Sequence, residues 1–221
     1  VRLRELLGPS SEGEDALRRA GAILDEGLVL LAPTDTVPGL LASALRAEGL
    51  GRLADLKGRD RSAAPPVILP SAEAALLETD DEQRELLARV AVLWPGPLSV
   101  VVCAPRLGPI VNPSLGTVAV RVPALGWLRE LALGRPIAAS SANRHGQPTL
   151  RVPAAALASL GEEVELARRG LAGVLDAQGG DGLRASTIVD LVSHPPRLVR
   201  AGALAASAVE GVLGLRLARD R

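Results

Sequence analysis

Short apolar runs separated by helical patterns organise this chain, and most of those runs do not alternate with polar residues. LVLLAP (28–33), PLSVVVCAP (97–105) and AGVLDA (172–177) are apolar at nearly every position. A strand with one face in water alternates; one that is apolar throughout is buried on both faces. Between such runs lie segments of helical period. Residues 13–26 place Leu17, Ala20, Ile23 and Leu24 on one face, and Gly27 suits the stop. Residues 71–93 hold one or two helices, with Leu86, Leu87, Val90 and Leu93 as a stripe, and 50–59, 124–133, 153–169 and 203–213 read as further helices. LLASAL, PVILP, TVAVRVP, RPIAAS, STIVDL and PRLVR complete the strands. The pattern predicts an α/β fold, a sheet covered on both faces by helices. No repeat, linker or change of composition interrupts the 221 residues, so one domain over 1–221 is expected.

Charge and composition narrow the function. Basic and acidic residues number 25 each, which removes the broad basic footprint of a protein that binds nucleic acid by charge alone. No apolar run reaches the roughly 18–20 residues of a membrane span, so no membrane partner is expected. VRLRELLGPS at the N-terminus has no signal-peptide core. The single cysteine, Cys103, allows no internal disulfide and favours a cytoplasmic setting. With His145 and His194 it makes no zinc-like spacing, and no metal ligands are assigned. The skew is more telling. Phe, Tyr and Met are absent, and every basic residue is arginine except Lys57. The only asparagines are Asn112 and Asn143. Such usage fits a GC-rich coding sequence, against which Lys57 and Asn143 stand out. Chance survival on a solvated surface is the alternative for both.

The polar clusters fall where strands end: PTDT after LVLLA, SSANRHG after PIAA, and AST entering STIVDL. In open α/β sheets ligands gather at strand ends. LKGRDRS brings Lys57, Arg59 and Arg61 close together, and such a cluster suits a polyphosphate unless solvent separates the charges. Arg121 interrupts an apolar strand. If buried it needs an anion; if the strand is an edge it faces solvent. The hydroxyls and amide of SSAN could reach phosphate or sugar, or form an ordinary turn. GGDG (179–182) reads as a flexible turn because no helix follows it. His145 and His194 read as surface residues, Cys103 as core, and Trp94 and Trp127 as packing groups. There is no Walker loop, no GxGxxG opening a helix and no GxSxG elbow.

TDTVPGL, LKGRDRS…P, WPGPLSVVV, TVAVRVP, SSANRHGQPT, STIVDL and PRLVRAGAL occur together in this order, and the set resembles the YrdC/YwlC-like threonylcarbamoyl-AMP synthases over about residues 15–205. The resemblance implies a twisted mixed sheet flanked by helices around a basic cavity. It implies a nucleotidyltransferase that joins L-threonine, bicarbonate and ATP into threonylcarbamoyl-AMP, with release of pyrophosphate, for tRNA threonylcarbamoyladenosine modification. Lys57 and Arg59 would be catalytic and face the triphosphate, with Mg2+ as companion. Thr117, Ser141, Asn143, Thr149 and Arg200 would line the rest of the ATP site, and Thr34, Arg121 and Ser186 would hold threonine. Downstream tRNA threonylcarbamoyl-transfer proteins would be partners, as could tRNA or double-stranded RNA itself. A divergent paralogue that binds nucleotide or RNA without threonine-dependent activity is the alternative. Family members commonly carry an aromatic residue, a lysine or asparagine, and a histidine where this chain has Pro38, Ala64 and Leu69. The first and third would lie near the amino acid and the second near the phosphates.

Overall fold

A computed structural model describes residues 1–60, 63–180 and 184–219. Their strands join in one mixed sheet. In chain order these are β1 (Arg2–Glu5), β2 (Ser10–Glu12), β3 (Val29–Ala32), β4 (Gly39–Ser43), β5 (Val67–Ile68), β6 (Leu98–Cys103), β7 (Thr117–Arg121), β8 (Ile137–Ser141), β9 (Leu171–Asp176), β10 (Thr187–Asp190), β11 (Arg197–Arg200) and β12 (Ala218–Arg219). The order across the sheet is β12-β11-β10-β6-β7-β5-β8-β4-β3-β9-β1-β2. The helices are α1 (Gly13–Asp25), α2 (Ala47–Lys57), α3 (Ala72–Glu78), α4 (Asp81–Val90), α5 (Gly108–Val111), α6 (Gly126–Leu131), α7 (Pro153–Leu160), α8 (Glu163–Arg168) and α9 (Ala206–Leu213). No helix among the described residues is long and apolar enough to cross a membrane.

The expected strands and helices are present, with boundaries moved by a few residues. The helical stretch 153–169 is two helices, broken at Gly161, where φ is +142° and a side chain would be strained. The β1–β2 hairpin, α5 and β12 carry no apolar period and were not expected. In the hairpin only Leu3 is buried, because its sequence makes an edge rather than a centre.

Register assigns the two faces. Val67 pairs with Val120 and Ala138, and Val100 with Val120; Leu40, Ala42 and Val189 share their side and all belong to one large core cluster. The α2, α4, α7 and α9 helices cover this face, packing Leu53, Leu87, Leu157 and Val209 into that cluster. The opposite face carries Leu30, Leu41, Ile68, Ile137 and Ala139, which pack with Ile23 and Leu24 of α1 and Leu128 and Leu131 of α6. That helical layer covers only part of its face. Beyond it the same face continues through Ser99, Arg121, Ser141 and Ile188, and there the sheet floors a cavity.

Candidate functional site: a cationic cavity on the sheet

The cavity has a volume of about 340 Å3, within the range of small-molecule sites. Lys57, Arg59, Arg121 and Arg200 line it, and no carboxylate does, among the described residues. In a chain of zero net charge this concentrates cations in one hollow, which draws anions in. Thr34, Thr36, Ser99, Ser140, Ser141, Thr149 and Ser186 complete the polar wall, while Val37, Pro66, Ile68 and Ile188 supply the apolar part.

Lys57 ends α2. Gly58 follows at φ +65°, a conformation that closes a helix and that glycine adopts without strain. The Lys57 carbonyl, left over at the helix end, accepts from His145 N at 2.8 Å, which ties the SSANRHG loop to α2. The ammonium points into the same loop. Nζ donates to Ser141 O at 2.6 Å, Ser141 Oγ at 2.9 Å, Asn143 O at 3.1 Å and Asn143 Oδ1 at 3.0 Å. Every one of these acceptors is neutral, and burial lowers the Lys57 pKa to about 8, with the Arg59 charge a second cause. Asn143 spends its amide inside the loop, Nδ2 donating to Arg144 O at 2.9 Å and Gln147 O at 2.7 Å. So the two composition outliers, Lys57 and Asn143, touch. Asn143 braces the loop from behind and does not line the cavity.

Arg59 lines the cavity with its Nε buried and without a hydrogen-bond partner, and desolvation lowers its pKa. A buried guanidinium donor left open is a place for an anion. Arg59 also borders a smaller hollow of about 170 Å3 walled by Ala63, Pro65, Ile110, Val111 and Pro113. Arg61, the third cation of the cluster, lies outside the described residues.

Arg121 is buried on an interior strand, which excludes the edge alternative. Its Nε donates to Gly96 O at 3.2 Å, its Nη1 to Thr36 Oγ1 at 3.0 Å, and its Nη2 lies 2.8 Å from Asp35 Oδ1. The resemblance implied that the anion facing Arg121 comes from substrate; the protein already supplies one in Asp35. Desolvation lowers the Arg121 pKa, and Asp35 works against that shift. Asp35 was missed in the sequence, although an acid between buried threonines in PTDT was a usable signal. Thr34 Oγ1 donates to Val37 O at 2.7 Å and accepts from Thr36 N at 3.1 Å, so this hydroxyl shapes the loop as well as lining the cavity. Ser186 Oγ lies 3.0 Å from Ser99 Oγ and accepts from Arg200 Nη2 at 3.0 Å, which joins the β10 and β11 ends of the wall.

The cavity thus gathers Lys57, Arg59, Ser141, Thr149, Arg200, Thr34, Arg121 and Ser186. It does not gather Thr117, which shares the face of Arg121 but stands four residues along β7, about 13 Å away by strand rise. The Thr117 hydroxyl accepts from Asn112 Nδ2 at 3.1 Å, and Asn112 sits between two residues that wall the smaller hollow. Of the three departures, Ala64 lines the cavity, whereas Pro38 does not and Leu69 is packed into the large core cluster. Cys103 differs from expectation: it is half-buried on the side of β6 that faces away from that core, and desolvation raises its pKa. His145 and His194 are exposed; Trp94 packs in the core, its Nε1 donating to Leu98 O at 2.8 Å, and Trp127 packs beside the second cluster.

The Sua5/YciO/YrdC family model, described as "Telomere recombination", matches residues 22–202. The chain belongs to this family. A Mycobacterium leprae relative of nearly equal length is 36% identical, over 97% of this chain and 96% of that one. The Chromohalobacter salexigens threonylcarbamoyl-AMP synthase is 36% identical, over 82% of this chain and 96% of its own length. The Pyrococcus abyssi threonylcarbamoyl-AMP synthase is 34% identical over 90% of this chain, which spans 57% of that longer protein. Among solved structures, P. abyssi Sua5 complexed with L-threonine superposes with a TM-score of 0.79 at 30% identity, covering 95% of this chain and 60% of that one. Escherichia coli YciO, at 18% identity, has a TM-score of 0.71 over 89% of this chain and 93% of its own and shares the fold.

Proposed function

We propose that this chain is a threonylcarbamoyl-AMP synthase that condenses L-threonine, bicarbonate and ATP. One observation carries the reading: four cations line a single hollow without a carboxylate, walled by the PTDT, LKGR, SSAN and AST segments. The names of its family relatives support the same reading.

The chemistry suits this wall. The threonine amine forms a bond to the carbon of bicarbonate while a C–O bond breaks and water leaves, which gives a carbamate. A carbamate oxygen forms a bond to the α-phosphorus of ATP in line with the bond to the β-phosphate oxygen, which breaks and releases pyrophosphate. Such a step asks for alignment and charge neutralisation rather than a strong protein base. Arg59, with its open Nε, and Lys57 would face the phosphates. Ser141 accepts from Lys57, so its own hydroxyl proton is free to turn toward a phosphate oxygen. Asn143 would hold that loop in place. Thr149 and Arg200 would border the nucleotide, and Thr117 the end of it that leaves the main cavity along the smaller hollow. Thr34, Ser186 and Arg121 would receive threonine, its carboxylate on the guanidinium. No carboxylate lines the cavity among the described residues, so its wall offers no charged ligand to a protein-held magnesium ion. Mg2+ would arrive with ATP as the counter-ion of its phosphates, and no step here runs through it.

The product is a mixed anhydride that water destroys, so its carbamoyl group is meant for a transfer protein acting on an adenosine of tRNA. We place the reaction in the cytoplasm and read residues 1–221 as one domain, since one sheet runs from the first strand to the last. The test is pyrophosphate release from ATP. It should require threonine and bicarbonate together; release with neither present, or none under any condition, overturns the proposal.

A further inference from the structure

We infer that Asp35 is a positioning residue that aims Arg121 at the carboxylate of the amino-acid substrate. The inference rests on the proposed function, which puts that carboxylate at this end of the cavity. Arg121 is 7% exposed, and three protein groups meet three of its nitrogens. The contacts with Gly96 O and Thr36 Oγ1 are hydrogen bonds. The one with Asp35 is different. Nη2 and Oδ1 are 2.8 Å apart, yet the geometry is not that of a hydrogen bond, and both atoms are buried without a hydrogen-bond partner. Asp35 therefore compensates the charge of Arg121 from the protein side, as a buried ion pair. A buried carboxylate at one side of the guanidinium fixes its plane and keeps it ionised beside the cavity that Arg121 lines.

Asp35 can do this because it is itself held. Its second oxygen, Oδ2, accepts at 2.8 Å from the N–H of Ala124, three residues past the end of β7. Its backbone is backed by Gly180, whose N–H donates to Thr34 O at 2.8 Å. A Cβ on Gly180 would stand 2.4 Å from Asp35 O, closer than any side chain can approach. Gly179 and Gly180, the described half of the segment that reads as a turn in the sequence, thus form a backbone wedge behind PTDT, and at Gly180 only glycine fits; Asp181 and Gly182 lie outside the described residues. The chain of contacts runs from Gly180 to Asp35 to Arg121 to the cavity.

Two variants test this. Asp35→Asn keeps the shape and an acceptor for Ala124 N but removes the negative charge that faces Arg121. Gly180→Ala leaves every charge in place and displaces Asp35 from behind. In pyrophosphate release, each should raise the KM for threonine by roughly ten- to hundredfold, with a smaller change in kcat and with ATP affinity held. If Asp35→Asn does not stay folded in a thermal melt, Gly180→Ala decides. A folded variant whose threonine KM is unchanged, or which binds threonine more tightly, overturns the inference, as does a loss confined to kcat. If the unmodified protein shows no threonine-dependent release at all, the proposed function fails instead, and the two failures are told apart by that control.

Discussion

The lone lysine gives the sharpest prediction, because its titration is isolated. Burial and the Arg59 charge bring the Lys57 pKa to about 8. The chain has no tyrosine and no second lysine, and its one thiol is shifted upward by desolvation. Few other groups therefore change charge between pH 7.5 and 9.5. If the ammonium faces the triphosphate, the phosphates stabilise its charged form and raise its pKa in the complex. Below pH 8 the free protein already carries the proton, and affinity for ATP should be flat. Above pH 8 each binding event must take up a proton, so affinity falls as pH rises. For a complex that stays protonated, the fall from pH 7.5 to 9.5 is roughly 25-fold. Phosphate oxygens, with a second pKa near about 6, are ionised throughout and do not contribute. Isothermal titration calorimetry in two buffers of different ionisation enthalpy measures both quantities. Proton uptake should approach one per ATP at pH 9 and vanish at pH 7. Lys57→Arg, charged at every pH used, should abolish the slope. An ATP affinity that is flat across this range, or the same slope in Lys57→Arg, refutes the placement of the ammonium at the phosphates.

Three further outcomes follow from the same geometry. Because the folded pKa of Lys57 lies below its unfolded value, the unfolded chain holds more protons between about pH 8 and 10.5, and stability should rise with pH there; urea midpoints at pH 8 and 10 should show the rise in the unmodified protein and not in Lys57→Arg. Arg121→Lys keeps the charge but cannot reach Gly96, Thr36 and Asp35 at once, so it should lower stability by about 2–4 kcal/mol in denaturant unfolding. Restoring the histidine common in the family, Leu69→His, should cost roughly 1–3 kcal/mol and leave threonine KM unimproved, since Leu69 packs in the core; a lowered KM would show that this position reaches the amino acid.

Much of the fold is legible because each central strand must be buried on two faces, and such strands are written as continuous apolar runs. The edges are not. RLRE and SSE pair as a hairpin with one buried side chain, and no pattern marks them. The cavity was legible only as a cluster of polar strand ends. Which of those residues meet depends on register, and a period of two cannot supply that. Thr117 and Arg121 illustrate the gap: they belong to one motif and one face of β7, yet Arg121 alone reaches the cavity. Lys57 shows another. Its rarity drew attention to it, but nothing in LKGR says that its ammonium would be met by the main-chain and side-chain oxygens of Ser141 and Asn143. Arg121 announced that it needed an anion, and Asp35 was visible in PTDT. Pairing two residues that far apart in sequence requires the fold.

The cations of one hollow would hold a triphosphate against a threonine carbamate. Incubation with ATP, threonine and 13C-bicarbonate, followed by immediate mass spectrometry, tests it directly. A labelled threonylcarbamoyl-AMP is expected, formed in equal amount with pyrophosphate and missing when any one substrate is withheld. Pyrophosphate without a labelled adenylate, or an adenylate lacking the bicarbonate carbon, would contradict it.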